Sequence, residues 1–216
     1  MRLYHGSPVV VAHPQLELCR AHNDYGPGFY CTEDEVLAKE WACNKPGRNG
    51  YCNVYELDES GLAFLDLDQS TDGVLSWLAV LMEHRLFDLE WNAANVKQRF
   101  VERFRVDLSQ ADVVCGYRAD DSYFSIARAF VSGAITDEQA ACALRLGDLG
   151  RQVVLRTSRA FSALRFIGAS EVFSSEWYPR WEKRDFGARL AFREMRSDDA
   201  VLGGRRIFEL LEDGGQ

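Results

Sequence analysis

The sequence predicts an α+β domain with a helical C-terminal extension, on three observations. Gly26-Pro27-Gly28 is a tight turn feeding the apolar run Phe29-Tyr30-Cys31, and Thr32-Glu33-Asp34-Glu35 then opens a helix carrying Val36, Leu37 and Trp41. Tyr51–Leu57 alternates like a half-buried strand, whereas Gly73–His84 repeats its apolar residues at helical spacing. From Ser175 onward the composition turns aromatic and basic, and no further strand pattern follows. Residues 1–174 are therefore read as the main domain and 175–216 as an extension packed on it. With 216 residues, 47% of them hydrophobic, the chain can bury one core.

In chain order, the first strand is Arg2 to His5. Residues 8–25 are polar and irregular, and are expected to form a loop over a pocket. Gly28 should let another group approach the backbone closely. Gly47 to Gly50 is a turn, and Ala63–Leu67 is a strand after Tyr51–Leu57. Thr71-Asp72 opens the helix Gly73–His84, whose buried face is Leu75, Leu78, Ala79 and Met82, with Trp77 as a core or domain-contact residue. Ala93 to Leu108 is a second helix with a solvated charged face. Ala111–Gly116 is a buried strand, followed by Asp120-Asp121 and a helix from Ser122 to Val131. Thr136 caps a helix running to Leu146, and Arg151–Thr157 and Leu164–Phe173 are strands, the latter with Gly168 as a bulge. Asp185 to Arg196 and Ile207 to Leu211 are helices on either side of Gly203-Gly204.

Composition removes several function classes. A formal charge of −8 argues against a general binder of phosphate backbones. No apolar run approaches a membrane span, and Met1-Arg2-Leu3-Tyr4 carries no signal-peptide core, so the expected location is the cytoplasm and no membrane partner is expected. Six cysteines without a C-x-x-C pair read as reduced, buried thiols, and four histidines without metal-ligand spacing argue against bound metal.

Two motifs carry chemistry. Leu3-Tyr4-His5-Gly6-Ser7 ends the first strand, and Gly26-Pro27-Gly28-Phe29-Tyr30 opens the second, with Trp41 ten intervening residues beyond Tyr30. In this order and spacing they resemble the ADP-ribosyltransferase superfamily, in the branch with a His-Tyr-Glu triad that includes the poly-ADP-ribose polymerases and diphtheria toxin. The likeness is closer still to a bacterial family within it known as a domain of unknown function. The resemblance implies a split, mainly antiparallel sheet with flanking helices, and NAD as co-substrate. It implies that His5 binds a ribose hydroxyl, that Gly6 holds the nicotinamide amide through its backbone, and that Tyr30 and Trp41 sandwich the nicotinamide ring. Ser7, Gly28 and Phe29 belong to the same expected NAD-binding set. The superfamily's catalytic glutamate falls on Gln152, and Gly150 stands where arginine-modifying members carry a second acid. Ala38 replaces a serine that many relatives use to bond the nicotinamide amide. Gly26-Pro27-Gly28 is no dinucleotide-binding turn of the Rossmann type, having no third glycine and no βαβ setting.

Each candidate also has a plain structural reading. His5 could cap or fill the core at a strand end, one of Asp120 and Asp121 could simply cap the following helix, and Gln152 could be a polar residue at a strand entrance. The aromatic-basic segment Glu176–Arg184 is expected to pack rather than bind nucleic acid. The implied reaction breaks the nicotinamide–ribose bond through an oxocarbenium-like state and needs negative charge nearby, which Gln152 cannot supply. Asp120 and Asp121 are the alternative source. The function expected is mono-ADP-ribosyl transfer, in a toxin or defence effector that could be delivered to a target cell and matched by a cognate antitoxin or inhibitor. The alternatives are an inactive NAD-binding or protein-interaction module and an NAD glycohydrolase. The acceptor stays open between protein, nucleic acid and small molecule.

Overall fold

The computed structural model describes residues 1–69, 73–85, 91–118, 121–146, 150–197 and 203–212. It has the expected α+β architecture, with two mainly antiparallel sheets and helices outside them. The first sheet has the order β1-β3-β7, built from β1 (Arg2–Ser7), β3 (Gly50–Leu57) and β7 (Leu164–Val172). The second has the order β2-β6-β5-β4, from β2 (Phe29–Cys31), β6 (Arg151–Leu155), β5 (Val113–Tyr117) and β4 (Phe64–Asp66); only β4 and β5 run parallel. A bulge in β7 opposite Val54/Tyr55 pairs Gly168 with Val54 and Phe166 with Tyr55, where the glycine predicted it.

Side-chain alternation distributes the strands over three apolar clusters. Leu3, Tyr55 and Leu57 of the first sheet face Phe29, Cys31, Val113, Cys115, Val153 and Leu155 of the second. Val114 and Val154 point the other way, into a larger cluster with the helices α2 (Gly73–His84), α3 (Trp91–Phe104), α4 (Asp121–Val131), α5 (Asp137–Ala143) and α8 (Ile207–Glu212). Being buried on both faces, β5 and β6 are continuous apolar runs. On the outside of the first sheet, Cys52 and Val172 pack on Ala38, Ala42 and Cys43 from α1 (Glu35–Ala42) and its end, and on Trp177 of α7 (Ser174–Ser197).

Several local expectations need correction. Asp34, not Thr32, caps α1: its carboxylate accepts from the backbone of Val36 and Leu37, while the Thr32 hydroxyl accepts from Asp34 N–H. Helix α2 is buried without a break from Leu75 to Met82, Trp77 included, so the expected single apolar face is too narrow. The Thr71-Asp72 signal before it lies outside the described residues. Thr157 does not extend β6; its hydroxyl accepts from Ala160 N–H and caps α6 (Ser158–Ser162), a helix the sequence pattern concealed. Thr136 does cap α5, with a reciprocal bond from Thr136 N–H to the Gln139 side chain, though the helix closes at Ala143.

Helix α7 is the largest departure. It begins at Ser174 and runs through Pro179, whereas the sequence reading began the helix at Asp185. Proline removes one helical N–H, which normally breaks a helix interior. Here Trp177 is anchored in the cluster under α1, and Glu40 of α1, 3% exposed, takes a bidentate pair of bonds from Arg184 at 2.8 and 3.1 Å. The ion pairs Glu176–Arg180 and Asp185–Arg189 run along its outer side. The aromatic-basic segment is thus engaged in packing and internal pairing.

Candidate active site

The site arises where the two sheets part. Tyr4 and Thr32 exchange both backbone bonds, at 2.8 and 2.9 Å, and form an isolated antiparallel bridge between β1 and the end of β2. In register the next hydrogen-bonded pair would be Gly6 with Tyr30. That pair is not made. The Tyr30 carbonyl instead accepts a bond from the His5 side chain at 2.7 Å, and the strands diverge. The alternation of the ladder turns the Gly6 peptide N–H and C=O toward the opening.

A cavity of about 630 Å³ fills this fork. His5, Gly6, Ser7, Gly28, Phe29, Tyr30, Trp41 and Gln152 all line it, so every described side chain that the sequence assigned to a site is brought together. Asp120 lies outside the described residues. Asp121 begins α4, and its side chain lies outside them too. The residues 8–28 loop covers one flank, contributing Val11, Gln15, Leu18 and Arg20, and the segment after α1 contributes Asn44, Lys45 and Arg48.

Local chemistry fixes several of these groups. A carbonyl can only accept, so His5 Nδ1 carries the proton bonded to Tyr30 and Nε2 carries a lone pair. Burial lowers the His5 pKa below its ordinary value, the bond to Tyr30 opposing only in part, and the ring stays neutral near pH 7. Its ring lies 4.6 Å from that of Phe29. The Tyr30 hydroxyl donates to Gly26 O at 2.6 Å and accepts from Tyr25 N–H at 3.0 Å, and burial holds its pKa well above the phenol range. Tyr30 is therefore a neutral strut between β2 and the covering loop, with an aromatic face on the cavity.

The glycines have packing reasons as well. A Cβ on Gly6 would run into the Ala38 carbonyl and Ala42 N of α1, so glycine is what lets the helix lie against β1. A Cβ on Gly28 would meet Val154 Cγ1 at 2.6 Å and Leu155 O at 2.8 Å, the close approach that the sequence suggested. The Ser7 hydroxyl donates to Val9 O and accepts from the Asn53 amide at 3.1 Å, which commits it to the covering loop.

Two buried polar atoms of cavity-lining residues have neither a hydrogen-bond nor an ion-pair partner among the described residues: Trp41 Nε1, a donor, and Gln152 Oε1, an acceptor. Gln152 is 6% exposed, so leaving its oxygen unbonded costs about 1–3 kcal/mol until something bonds it. Trp41 carries the guanidinium of Arg118 at 3.8 Å from a ring centroid, a planar cation stacked on an indole face.

The electrostatics are opposite to those of the whole chain. Against a formal net charge of −8, the described cavity lining holds five cations, Arg20, Lys45, Arg48, Arg85 and Arg118, and one carboxylate, Asp24. Asp24 is 6% exposed and forms an ion pair with Arg85 at 2.9 Å. No described carboxylate faces the cavity without a cation. Among the described residues no group of three or more His, Cys, Asp or Glu side chains could hold a metal.

Sequence reading missed three supports of the site. Tyr25 is fully buried and its hydroxyl, like Trp77 Nε1, donates to Tyr117 O, pinning the covering loop into the helical core beside Gly116. Asn53, fully buried in β3, accepts from Val11 N–H at 2.8 Å and donates to His5 O at 3.1 Å. Its signal was legible as a polar residue inside an apolar strand. The Asp24–Arg85 pair joins residues 61 positions apart and had no local signature.

No described helix is long and apolar enough to cross a membrane. All six cysteines are free thiols, but only Cys31, Cys43, Cys52 and Cys115 are buried; Cys19 is half-buried and Cys142 exposed, against the expectation that all six lie in the core. No curated protein and no solved structure matches the chain. A family model described as "Protein of unknown function (DUF3990)" matches residues 1–166, a span that takes in β1 to β6, the start of β7 and all eight cavity residues predicted from sequence. By that match over most of its length, the chain belongs to the DUF3990 family.

Proposed function

We propose that the chain is an NAD-dependent mono-ADP-ribosyltransferase acting from the cavity between its two sheets. The observation that carries this reading is the convergence of His5, Gly6, Tyr30, Trp41 and Gln152, singled out by resemblance to that superfamily, on one cavity. The residues fit the ligand by their unmet chemistry. His5 Nε2 can accept from a ribose hydroxyl, the Gly6 peptide can bond an amide, and Gln152 Oε1 needs a donor. Trp41 already stacks a planar cation, which is what the nicotinamide ring of NAD is. The volume is in the usual range for small-molecule sites.

In this reaction the ribose C1–N bond breaks and its electron pair leaves with neutral nicotinamide. The acceptor's nucleophile bonds to C1 and gives up its proton. The chain's part is to hold the ring between aromatic faces, orient the ribose and exclude water. The acceptor is taken to be macromolecular, and the free buried thiols fit a reducing compartment.

A second reading is favoured by one observation. The only described carboxylate on the cavity, Asp24, is paired with Arg85, and the glutamate position is Gln152. Among the described residues the cavity holds no free negative charge, and a site without it stabilises a developing cation poorly, which favours an NAD-binding module without transferase activity. Incubating the protein with NAD labelled in either half separates the cases. Nicotinamide release with label on macromolecules supports the transferase, release without such label supports a glycohydrolase, and binding without release supports the inactive module. If NAD does not bind at all, the reading is wrong.

A further inference from the structure

Two loops contribute cations to the lining of the cavity, and these cations have no carboxylate partner among the described residues. Arg20 comes from the covering loop, and Lys45 and Arg48 come from the segment between α1 and β3. All three side chains are exposed, and none forms an ion pair with a described residue. In a chain of net charge −8, three exposed cations lining one cavity without an ion pair to a described residue run against the overall charge.

The loops carrying them are tied down. The covering loop is held by Val11 N–H to Asn53 Oδ1 at 2.8 Å and by the Tyr55 hydroxyl to Val11 O. The second loop is held to the start of α7: the Ser174 hydroxyl donates to Lys45 O at 3.3 Å, and Ser174 N–H donates to Asn49 Oδ1 at 3.0 Å. Cations on anchored loops at the rim of a low-dielectric cavity concentrate their field in the opening. Guanidinium and ammonium groups together suit phosphate oxygens, the first as a fork and the second as a point charge.

We propose that Arg20, Lys45 and Arg48 form a two-loop clamp for the diphosphate of a nucleotide whose remaining end enters the cavity. Affinity is then set by phosphate charge at the mouth, and inorganic pyrophosphate alone competes for the clamp. The choice of NAD as one probe rests on the function proposed above; the clamp itself does not need it.

The test is calorimetric titration of the whole chain with ADP, pyrophosphate, orthophosphate and NAD, at low and raised salt. Variants are Arg20→Gln and the double change Lys45→Gln/Arg48→Gln, with Arg193→Gln and Arg193→Gln/Arg196→Gln on α7 as controls that remove one and two positive charges away from the cavity. All are exposed positions, so melting temperature checks that folding is intact. The expected result is ADP binding displaced by pyrophosphate much better than by orthophosphate, weakened by salt, reduced about tenfold or more in the Lys45→Gln/Arg48→Gln variant, and unchanged in the controls. ADP affinity equal in parent and Lys45→Gln/Arg48→Gln variant overturns the clamp. If NAD binds parent and variants alike, the clamp fails while the NAD reading stands. If ADP binds through the clamp and NAD does not bind, the clamp stands and the NAD reading fails.

Discussion

Gln152→Glu places a carboxylate where the structure shows a buried amide whose oxygen has no hydrogen-bond partner among the described residues. If the cavity cleaves NAD, that charge stabilises the ribose cation as nicotinamide leaves. One preorganised electrostatic contact of this kind is worth about 2.7–4 kcal/mol, or a rate factor of about 10²–10³. The change also has a cost. At 6% exposure the new carboxylate is desolvated, which raises its pKa above the ordinary glutamate value of about 4.3. The cations lining the cavity, Arg85 and Arg118 among them, oppose that rise. The folded state then binds the proton more tightly than the unfolded state, so the variant loses stability as pH rises from about 4.3 through the raised value. The same deprotonation switches on catalysis, so nicotinamide release should climb over the window in which stability falls. The assay is nicotinamide release against pH by chromatography, with denaturant unfolding run over the same range. A variant that is folded, binds NAD and releases nicotinamide at the parent rate across that range refutes the electrostatic role of this position.

Three further outcomes follow from the geometry. Tyr30→Phe keeps the ring but strands Gly26 O and Tyr25 N–H, so it should cost about 1–3 kcal/mol in urea unfolding while NAD affinity changes little; an unchanged midpoint means the hydroxyl does not anchor the loop. Tyr30→Ala should instead weaken NAD binding by about 1–3 kcal/mol, by analogy with base stacking on aromatics, and equal calorimetric affinity in a folded variant excludes ring stacking. His5 is held neutral by burial, so its contribution to stability is complete above the ordinary imidazole value of about 6.5 and is lost as pH falls toward its lower folded value. His5→Gln should flatten that acid limb of the melting curve and reduce NAD affinity at neutral pH; a variant with the parent's acid limb shows that another group titrates there.

Much of the fold could be read from local chemistry where local chemistry decides it. The limits of α2, the Thr136 cap and the bulge at Gly168 each follow from residues within a turn or two of the feature. The failures occur where distant contacts override local preference. Pro179 reads as a helix breaker, yet Trp177 under α1 and Arg184 on Glu40 hold α7 together across it. Thr157 continues an apolar run on paper, but its hydroxyl is taken by the Asp112 carboxylate and by Ala160 N–H, which turns the chain into α6. At the site, the motifs and the resemblance they carry singled out eight described residues that line one cavity, while Tyr25 and Asp24–Arg85 were invisible because their partners lie far off in sequence.

The position of the cavity follows from a single unmade pair. Had β1 and β2 continued in register beyond Tyr4–Thr32, the Gly6 and Tyr30 backbones would have satisfied each other and closed the fork. Three local facts oppose closure. His5 takes the Tyr30 carbonyl, α1 sits against Gly6, and Gly28 lets β2 draw in against β6 instead. The separation is then filled on one side by the apolar cluster between the sheets and on the other by the covering loop anchored through Tyr25 and Asn53. What is left between them is a space lined by backbone groups turned out of the ladder and by Trp41 and Gln152, whose buried indole N–H and amide oxygen have no partner among the described residues. An unpaired buried polar group carries a desolvation cost that a bonded water, ion or ligand removes, and that cost, added to the convergence of the motif residues on the fork, is the physical ground for proposing it as a binding site.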